Sequence, residues 1–158
     1  MTELLSGPSR PRVEIRRPQP LDLVVVAAGA LAVAFSFVSY YTVTIQTVSS
    51  RTSAWHGFWG WFGAVLAAVA AALVTLAWCA PALSSRRAAG AVLVLFLAAT
   101  VSTLLALFQD GFDTARPRAY AMYVHSGHGY GYWISLASVI LGATASLVRL
   151  RQVGASGR

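Results

Sequence analysis

The amino-acid sequence predicts an all-α membrane protein whose four helices form a transmembrane bundle, and it allows a small extracytoplasmic β-cap in addition. Of the 158 residues, 57% are hydrophobic and only 11% are charged, whereas a soluble domain carries roughly a quarter charged residues. The apolar residues also form long uninterrupted runs, without the short periodic clusters that a water-exposed surface demands. These observations exclude an ordinary soluble enzyme.

Four apolar runs define the predicted helices. Each reaches the length of about 20 residues that a helix needs to cross the hydrocarbon core of a bilayer. The runs are 21–41, 58–79, 88–108 and 130–148, and no ionisable side chain lies in the middle of any of them. The first run is too long for the apolar part of a secretory signal peptide and lacks a clear cleavage site. We therefore expect all four to be retained as spans of one domain, 21–148.

The segments outside this domain, 1–20 and 149–158, are predicted to be tails. The first is rich in Pro and Arg and has too little apolar surface to order itself, so we expect it to be flexible. Asp22 begins the first span, where a carboxylate is favourable beside the free amides of a helix N-terminus. We expect Asp22 to cap or charge that first turn, and a proton-transfer role is the less favoured interpretation.

The distribution of arginine predicts which side of the membrane the termini occupy. All 12 basic residues are Arg, and basic residues are retained preferentially on the cytoplasmic side. If the N-terminus is inside, the inner segments hold nine Arg and the outer loops hold Arg51, Arg116 and Arg118. We therefore expect a multi-pass protein of the cell membrane with both termini cytoplasmic. Because the basic residues lie at the ends of apolar runs, nucleic acid is not an expected partner.

Small residues at four-residue spacing mark the predicted helix contacts, because association inside a bilayer depends on close approach of the backbones. The stripes are Ala28, Ala32 and Ser36; Gly60, Ala64, Ala68 and Ala72; Ala98, Ser102 and Ala106; and Ser138, Gly142 and Ser146. Hydroxyl side chains within the spans can bond across helices or back to their own helix. We expect the second arrangement to be the more frequent.

Aromatic residues gather at the predicted outer boundary, which suggests that the two outer loops fold into a packed cap. The β-branched alternation over 41–48 predicts a strand with Val43 and Ile45 on one face, and 49–52 reads as a polar turn. The segment 118–124 is a second candidate strand. A small sheet that joins both loops would satisfy their backbone polar groups and cover the helix ends.

One part of the sequence resembles a known group of proteins. The run 36–41 ends in an aromatic pair and is followed by a loop rich in Thr, Val and Ser and then by Ser53-Ala54-Trp55. This pattern resembles small four-span integral membrane proteins common in actinobacteria, in which an aromatic pair ends one helix and a Ser-Ala-Trp motif opens the next. The resemblance implies the four-span fold in a group of unknown function, and it supplies no catalytic residues.

Outer-loop histidines form the one constellation with a potential for metal chemistry. His56 lies in the first outer loop, and His125 and His128 lie in the second. The spacing of the last two suits two ligands of one metal, although Gly127 makes a regular helix between them doubtful. Solvated or hydrogen-bonded histidines are the commoner case. Because no nucleophile–base pair, paired carboxylates or intramembrane charge is evident, we expect neither an enzyme nor a transporter, and no cofactor.

These observations favour a non-catalytic accessory or interaction protein of the bacterial cell envelope. Its expected partners are the lipid bilayer and another membrane or envelope protein, and a homo-oligomer is left open. The residues predicted to form the partner surface are Trp55, Phe58, Trp59, Tyr120 and Tyr123. Anchoring of the helices at the membrane interface is an equally good explanation of these rings. The alternative function is binding of a small ligand or a metal through the outer histidines.

Overall fold

The computed structural model describes residues 18–45, 48–80, 85–108 and 124–155. Within these ranges the chain is mostly helical, with four helices and one small sheet. Helices α1 to α4 span Pro20–Ser36, Phe58–Cys79, Arg86–Leu105 and Tyr130–Ala155. Strands β1 to β3 span Tyr41–Ile45, Val48–Thr52 and Val124–His128. Short 3₁₀ turns at Ala54–His56 and Ala106–Phe108 precede α2 and follow α3.

Three of the helices in the described part of the chain are long and apolar enough to cross a membrane. They are α2, α3 extended by its 3₁₀ turn to Phe108, and α4 as far as Val153. Helix α1 is apolar but has 17 residues, which at 1.5 Å per residue is about 25 Å, against a hydrocarbon core of about 30 Å. The prediction of a predominantly helical protein is confirmed, with three helices that are long and apolar enough to span a membrane.

The first helix is shorter than the predicted span 21–41, because α1 ends at Ser36. The Ser36 hydroxyl donates to the Val33 carbonyl at 2.7 Å, and the chain then turns into β1. The Tyr40 amide there donates to the Thr52 carbonyl at 2.9 Å. The aromatic pair after α1 therefore satisfies its backbone groups in the sheet and not in a helix. At the other end of the domain, α4 continues past Val148 into the segment predicted as a tail.

The helices pack in a ring, in which α1 and α3 each contact both α2 and α4. Their shared interior is apolar, and its largest buried side chains are Val25, Val74, Val92, Phe96 and Val139. Consecutive helices run in opposite directions. The C-terminal ends of α1 and α3 and the N-terminal ends of α2 and α4 consequently meet at the end that carries the sheet.

The small-residue stripes are confirmed in α1 and α4, where every predicted member is buried. In α4 the reason is visible at Gly142, since a β-carbon there would overlap the ring of Phe96 in α3. The stripes in α2 and α3 are partly wrong, because Ala72 and Ala98 are exposed. The buried alanines of these two helices include instead Ala67, Ala70, Ala77, Ala89 and Ala99.

Most hydroxyl side chains of the helices bond to their own helix, as expected. Thr75, Thr100, Thr103, Ser138 and Thr144 each donate to the carbonyl four residues earlier. Two others cross between helices. Ser102 of α3 donates to the Trp59 carbonyl of α2 at 2.7 Å, and Ser135 of α4 donates to the Ala32 carbonyl of α1 at 3.3 Å.

The predicted small sheet is confirmed, and it joins both loops at one end of the helices. Its strand order is β2-β1-β3, with both pairings antiparallel. The predicted polar turn at 49–52 is wrong, because these residues belong to β2 and pair with β1. Of the candidate strand 118–124, only Val124 lies within the described residues, and it begins β3. We call the sheet together with the 3₁₀ turn Ala54–His56 the cap.

A buried ion pair connects the first and last helices at the end opposite the cap. Arg149 Nε lies 2.7 Å from Asp22 Oδ1, and the two side chains are only 8% and 1% exposed. Oδ1 makes no aligned hydrogen bond, so the attraction is mainly between the charges. The other oxygen, Oδ2, accepts the Gln19 amide at 3.3 Å, so the predicted capping role of Asp22 is confirmed. The pairing with Arg149 was not anticipated from the sequence.

Candidate functional site

Three buried tyrosines form the base of the cap. Tyr40 and Tyr41 follow α1, and Tyr132 lies in the first turn of α4; all three are at most 2% exposed. The ring of Tyr40 meets those of Tyr41 and Tyr132 edge to face, with centroids 5.0 and 5.3 Å apart. This is a favoured geometry for aromatic pairs, and it joins the start of β1 to the start of α4.

The imidazole of His128 completes this group. His128 pairs with Tyr41 across the sheet, and its ring lies 5.6 Å from the Tyr41 ring and 4.5 Å from the Tyr132 ring. His128 Nε2 is 3.2 Å from the Ala106 carbonyl oxygen. Because a carbonyl only accepts, Nε2 carries the proton and donates it. We call Tyr40, Tyr41, Tyr132 and His128 the tyrosine cluster.

The phenols of Tyr40 and Tyr41 resist ionisation. Burial raises the pKa of Tyr41 to about 12, and the neighbouring Tyr132 phenol adds to that shift. The pKa of Tyr40 is also raised, first by burial and then by the adjacent phenols. Burial disfavours a phenolate because its charge loses contact with water. These shifts act only in alkaline solution, because a phenol with its ordinary pKa of 10.0 is already neutral at pH 7.

Two glycines allow the second loop to approach the first closely. The Gly129 amide donates to the Tyr40 carbonyl at 2.9 Å, and the Gly131 amide donates to the Ser39 carbonyl at 3.0 Å. A β-carbon at either glycine would collide with the backbone carbonyl of Ser39. The glycines that precede and open α4 thus permit direct backbone contact between the loops, which fixes Tyr132 beside Tyr40.

A second group of aromatic rings lies on the outside of the cap end. Phe37 stacks on Trp55 at 5.2 Å between centroids, and Trp55 stacks on Trp61 at 6.4 Å. Phe58 continues the series, because its ring contacts those of Trp59, Trp61 and Phe62 at centroid distances of 5.1, 5.3 and 5.4 Å. We call this continuous series the aromatic surface; its members are Phe37, Trp55, Phe58, Trp59, Trp61 and Phe62.

Four of the six rings of the aromatic surface are exposed, and contacts within the protein hold them in place. Trp55 is 44% exposed and Phe58 is 48% exposed. The Trp55 indole N–H donates to the Ser36 hydroxyl at 3.2 Å, which attaches the loop to the end of α1. Trp59 is 37% exposed, and its carbonyl accepts from Ser102. The structure thus brings three of the predicted surface residues together, whereas Tyr120 and Tyr123 lie outside the described residues.

The predicted metal ligands occupy different surroundings. His56 is exposed, and its Nδ1 is hydrogen-bonded to the Ser53 hydroxyl at 3.3 Å, whereas His128 belongs to the tyrosine cluster. His125 pairs with Thr44 in the sheet, and its side chain lies outside the described part. Among the described side chains, no group of three or more His, Cys, Asp or Glu could hold a metal ion. The three-histidine site remains a prediction.

In the sequence the tyrosines have the pattern of general interfacial anchors, and nothing local separates buried from exposed rings. One signal was available: His128 and Tyr132 are four residues apart across the start of α4, and both lie among glycines. The partner of that pair, Tyr41, comes from a loop more than 80 residues away in the chain. Only the register of the sheet shows that Tyr41 lies opposite His128.

Comparison with known proteins adds no family to these observations. No protein-family model matches the chain, and no curated protein matches it either.

Proposed function

We propose that this protein is an integral membrane protein whose four helices form a transmembrane bundle. The three long apolar helices support this, and so do the large apolar side chains that point away from the interior on every helix. They include Leu23, Leu31, Val69, Leu76, Val94, Leu97, Val101, Leu104, Ile140 and Leu141, each at least 44% exposed except Leu104, which is 41% exposed. In a bilayer these side chains would contact lipid tails, so the free-energy cost of exposing apolar surface to water would not arise.

The proposed orientation places both termini in the cytoplasm and the cap outside. Among the described residues, Arg86, Arg87, Arg149 and Arg151 lie at the end opposite the cap, and Arg51 lies in the cap. This bias is the one expected for a cytoplasmic end. Reporter fusions after Arg158 and within the second loop, at Gly111, should report opposite sides of the membrane. The same side for both fusions would contradict the four-span arrangement.

The function that the geometry supports best is that of a non-catalytic accessory or interaction protein of the bacterial cell envelope. The observation that carries it is the aromatic surface, where rings are exposed but are already held by stacking and by the bond from Trp55 to Ser36. Such rings lose little conformational entropy when a partner covers them, and Trp is enriched among residues that dominate binding energy. The proposed partner is another membrane or envelope protein that meets the cap end.

Photo-crosslinking in native membranes would distinguish a protein partner from lipid anchoring. A photoreactive amino acid is placed at position 55 and, as a matched control, at position 133. Trp133 is also a half-exposed indole at the cap end, at 55%, but it lies on α4, where its ring contacts Tyr132. We expect a protein adduct from position 55 and lipid adducts alone from position 133. An adduct with a second copy of the chain would identify the partner as a homo-oligomer.

Lipid adducts alone at both positions would contradict the proposal and would show that the aromatic surface anchors the helices. Correct folding of each variant is verified first by its thermal unfolding in detergent. Variants Trp55→Ala and Phe58→Ala should then reduce the adduct formed from a probe at position 59, whereas Trp133→Ala should leave it unchanged. These variants exclude the explanation that a protein is crosslinked only because it lies nearby in the bilayer.

Binding of a metal by His56, His125 and His128 is the second candidate function. Its basis is the presence of these three histidines in the two outer loops of the sequence. Zinc titration of the purified protein, followed by calorimetry, tests it. Retention of zinc binding in His56→Ala or His128→Ala would remove that residue from the proposed ligand set.

A further inference from the structure

Three arginines form a patch of uncompensated positive charge at the end opposite the cap. Arg86 and Arg87 open α3, Arg151 lies near the end of α4, and all three are exposed. Asp22 is the only acidic residue within the described ranges, and its carboxylate is already paired with Arg149. The three exposed guanidinium groups therefore have no ion-pair partner in the described part of the chain. We call Arg86, Arg87 and Arg151 the arginine patch.

The packing of α3 on α4 brings these arginines to one level along the bundle. Gly142 of α4 lies so close to the ring of Phe96 in α3 that a β-carbon would overlap it, and the two helices run antiparallel. Arg87 lies nine residues before Phe96, and Arg151 lies nine residues after Gly142. At 1.5 Å per residue, both are displaced from that contact by about 14 Å toward the same end. The arginine patch therefore lies at a single depth on two adjacent helices.

This depth coincides with the headgroup level of a bilayer. Phe96 lies next to the middle of the apolar helix Arg86–Phe108. Half of a hydrocarbon core of about 30 Å is about 15 Å, so a displacement of about 14 Å reaches the boundary between the lipid tails and the headgroups. Arginine side chains at such a boundary lay their apolar stems along the tails and direct their charge outward. The guanidinium groups consequently reach the level of the lipid phosphates.

The position of Arg86 and Arg87 is electrostatically unfavourable for α3 itself. The free amides of a first turn give the helix N-terminus a partial positive charge, which favours acidic and disfavours basic side chains. Helix α1 begins at the same end and carries Asp22 in its first turn, whereas the first turn of α3 contains no acidic residue. Membrane topology requires arginines on this side of the bilayer but not within the first turn of a helix. An anion beside the two guanidinium groups would remove this repulsion.

We propose that the arginine patch binds the phosphate group of an anionic phospholipid in the cytoplasmic leaflet. The proposal rests on the membrane-spanning arrangement proposed above, and it assigns a lipid ligand to the end opposite the aromatic surface. Guanidinium groups bind phosphate through paired N–H donors and keep their charge at physiological pH. A lipid phosphate is favoured over an acidic segment of a soluble protein, because the phosphate level of the bilayer already coincides with the patch.

Lipid titration of the purified full-length protein in a neutral detergent tests the proposal. Native mass spectrometry measures the apparent affinity for phosphatidylglycerol and for phosphatidylcholine of the same chain length, and we expect the wild type to prefer phosphatidylglycerol. Each arginine near an anionic surface contributes about fivefold in affinity. Replacing both Arg86 and Arg87 by Gln should therefore weaken binding about 25-fold, and Arg151→Gln about fivefold. Arg51→Gln is the matched control, since Arg51 is an exposed arginine of the cap, and it should leave the affinity unchanged.

Thermal unfolding separates lipid binding from a role in folding. Without lipid, the variant that lacks both Arg86 and Arg87 should unfold at the same temperature as the wild type or higher, because two cations leave the first turn of α3. Phosphatidylglycerol should raise the unfolding temperature of the wild type and that of this double variant much less. A lower unfolding temperature of the double variant without lipid would assign the two arginines to folding and would overturn the proposal.

Other outcomes would overturn it through the ligand. Equal affinity of the wild type for both lipids would show that the lipid charge is not recognised, and unchanged phosphatidylglycerol binding in the double variant would place the lipid elsewhere. Inorganic phosphate that stabilises the wild type as much as phosphatidylglycerol would assign the patch to a free anion. Displacement of the lipid by a poly-glutamate peptide at lower concentration would assign it to an acidic protein.

The reporter fusions after Arg158 and at Gly111 test the membrane arrangement separately. Fusions that report opposite sides, combined with unchanged lipid binding in the double variant, would overturn the lipid site alone. Fusions that report the same side would overturn the arrangement on which the site depends.

Discussion

Neutralising one partner of the Asp22–Arg149 pair should destabilise the protein strongly. The substitution Asp22→Asn keeps the size of the side chain and an oxygen that can accept the Gln19 amide, so it isolates the charge from the helix cap. It leaves the guanidinium of Arg149 buried, at 8% exposure and without the carboxylate that lies 2.7 Å from it. Removing one member of a buried pair costs about 3–5 kcal/mol.

For a chain of this size, each kcal/mol of stability corresponds to a shift of about 2–4 °C in the unfolding temperature. Asp22→Asn should therefore lower the midpoint of thermal unfolding in detergent by about 6–20 °C. Arg149→Met should have a comparable effect, because it leaves the carboxylate unpaired. The double variant should lose less stability than the sum of the single variants, since neither charge is then left alone.

Arg151→Ala is the control for a general loss of positive charge. Arg151 lies two residues after Arg149 on α4 but is exposed, so its removal should change stability by no more than about 0.5 kcal/mol. The stabilising role of the buried pair would be refuted if Asp22→Asn had as small an effect on stability as Arg151→Ala. It would also be refuted if the effects of Asp22→Asn and Arg149→Met were additive in the double variant.

The remaining predictions concern packing and ionisation. Gly142→Ala should destabilise the protein by about 1–3 kcal/mol, because the added β-carbon overlaps a ring of α3. Gly90→Ala has open space around it and should stabilise the protein by up to about 1 kcal/mol. Thermal unfolding measures both changes. By the same assay, Ala67→Leu should destabilise the protein and Ala72→Leu should be tolerated, and the reverse order would contradict the packing. The pKa of Tyr41 rises from 10.0 to about 12, so its contribution to stability is complete below pH 10 and is lost as the pH rises through about 12. Stability measured against pH should fall less steeply above pH 10 in Tyr41→Phe than in the wild type, because the variant keeps the buried Tyr40 phenol, whose pKa is also raised.

The extent of α2 could be predicted from composition alone, because 58–79 is uniformly apolar and is bounded by glycine and proline. The end of α1 could not be predicted, because aromatic residues such as Tyr40 extend an apolar run whether they belong to a helix or to a strand. The faces of α2 and α3 that contact other helices were only partly predictable, because alanine occurs on both the buried and the exposed faces of these helices. Ala72 therefore fits a small-residue stripe as well as Ala70 does, although only Ala70 is buried.

The candidate site, too, could be predicted only in part from the sequence. Exposed rings such as Trp55 and Phe58 could be predicted, because they flank a polar loop beside an apolar run. The tyrosine cluster could not, since Tyr41 and His128 meet only through the register of two strands that are distant in sequence. The pair of Asp22 with Arg149 has the same origin: each residue has an ordinary local explanation, as a helix cap and as a topology signal, and only the packing of α1 on α4 shows that they meet.

The contacts between α1 and α4 also bear on how the chain is made. Of the four described helices, α1 is synthesised first and α4 last, and the two are joined at one end by the ion pair and at the other by backbone bonds from Gly129 and Gly131. Until α4 emerges, the chain carries a carboxylate on α1 without its cation and a central strand, β1, with one edge unpaired. A chain that ends before β3 and α4 would expose both features. Unpaired strand edges and uncompensated charges make a chain recognisable to proteases and chaperones. Strand β3 covers the free edge of β1 and Arg149 of α4 supplies the missing cation, so both features are covered only after α4 has been made.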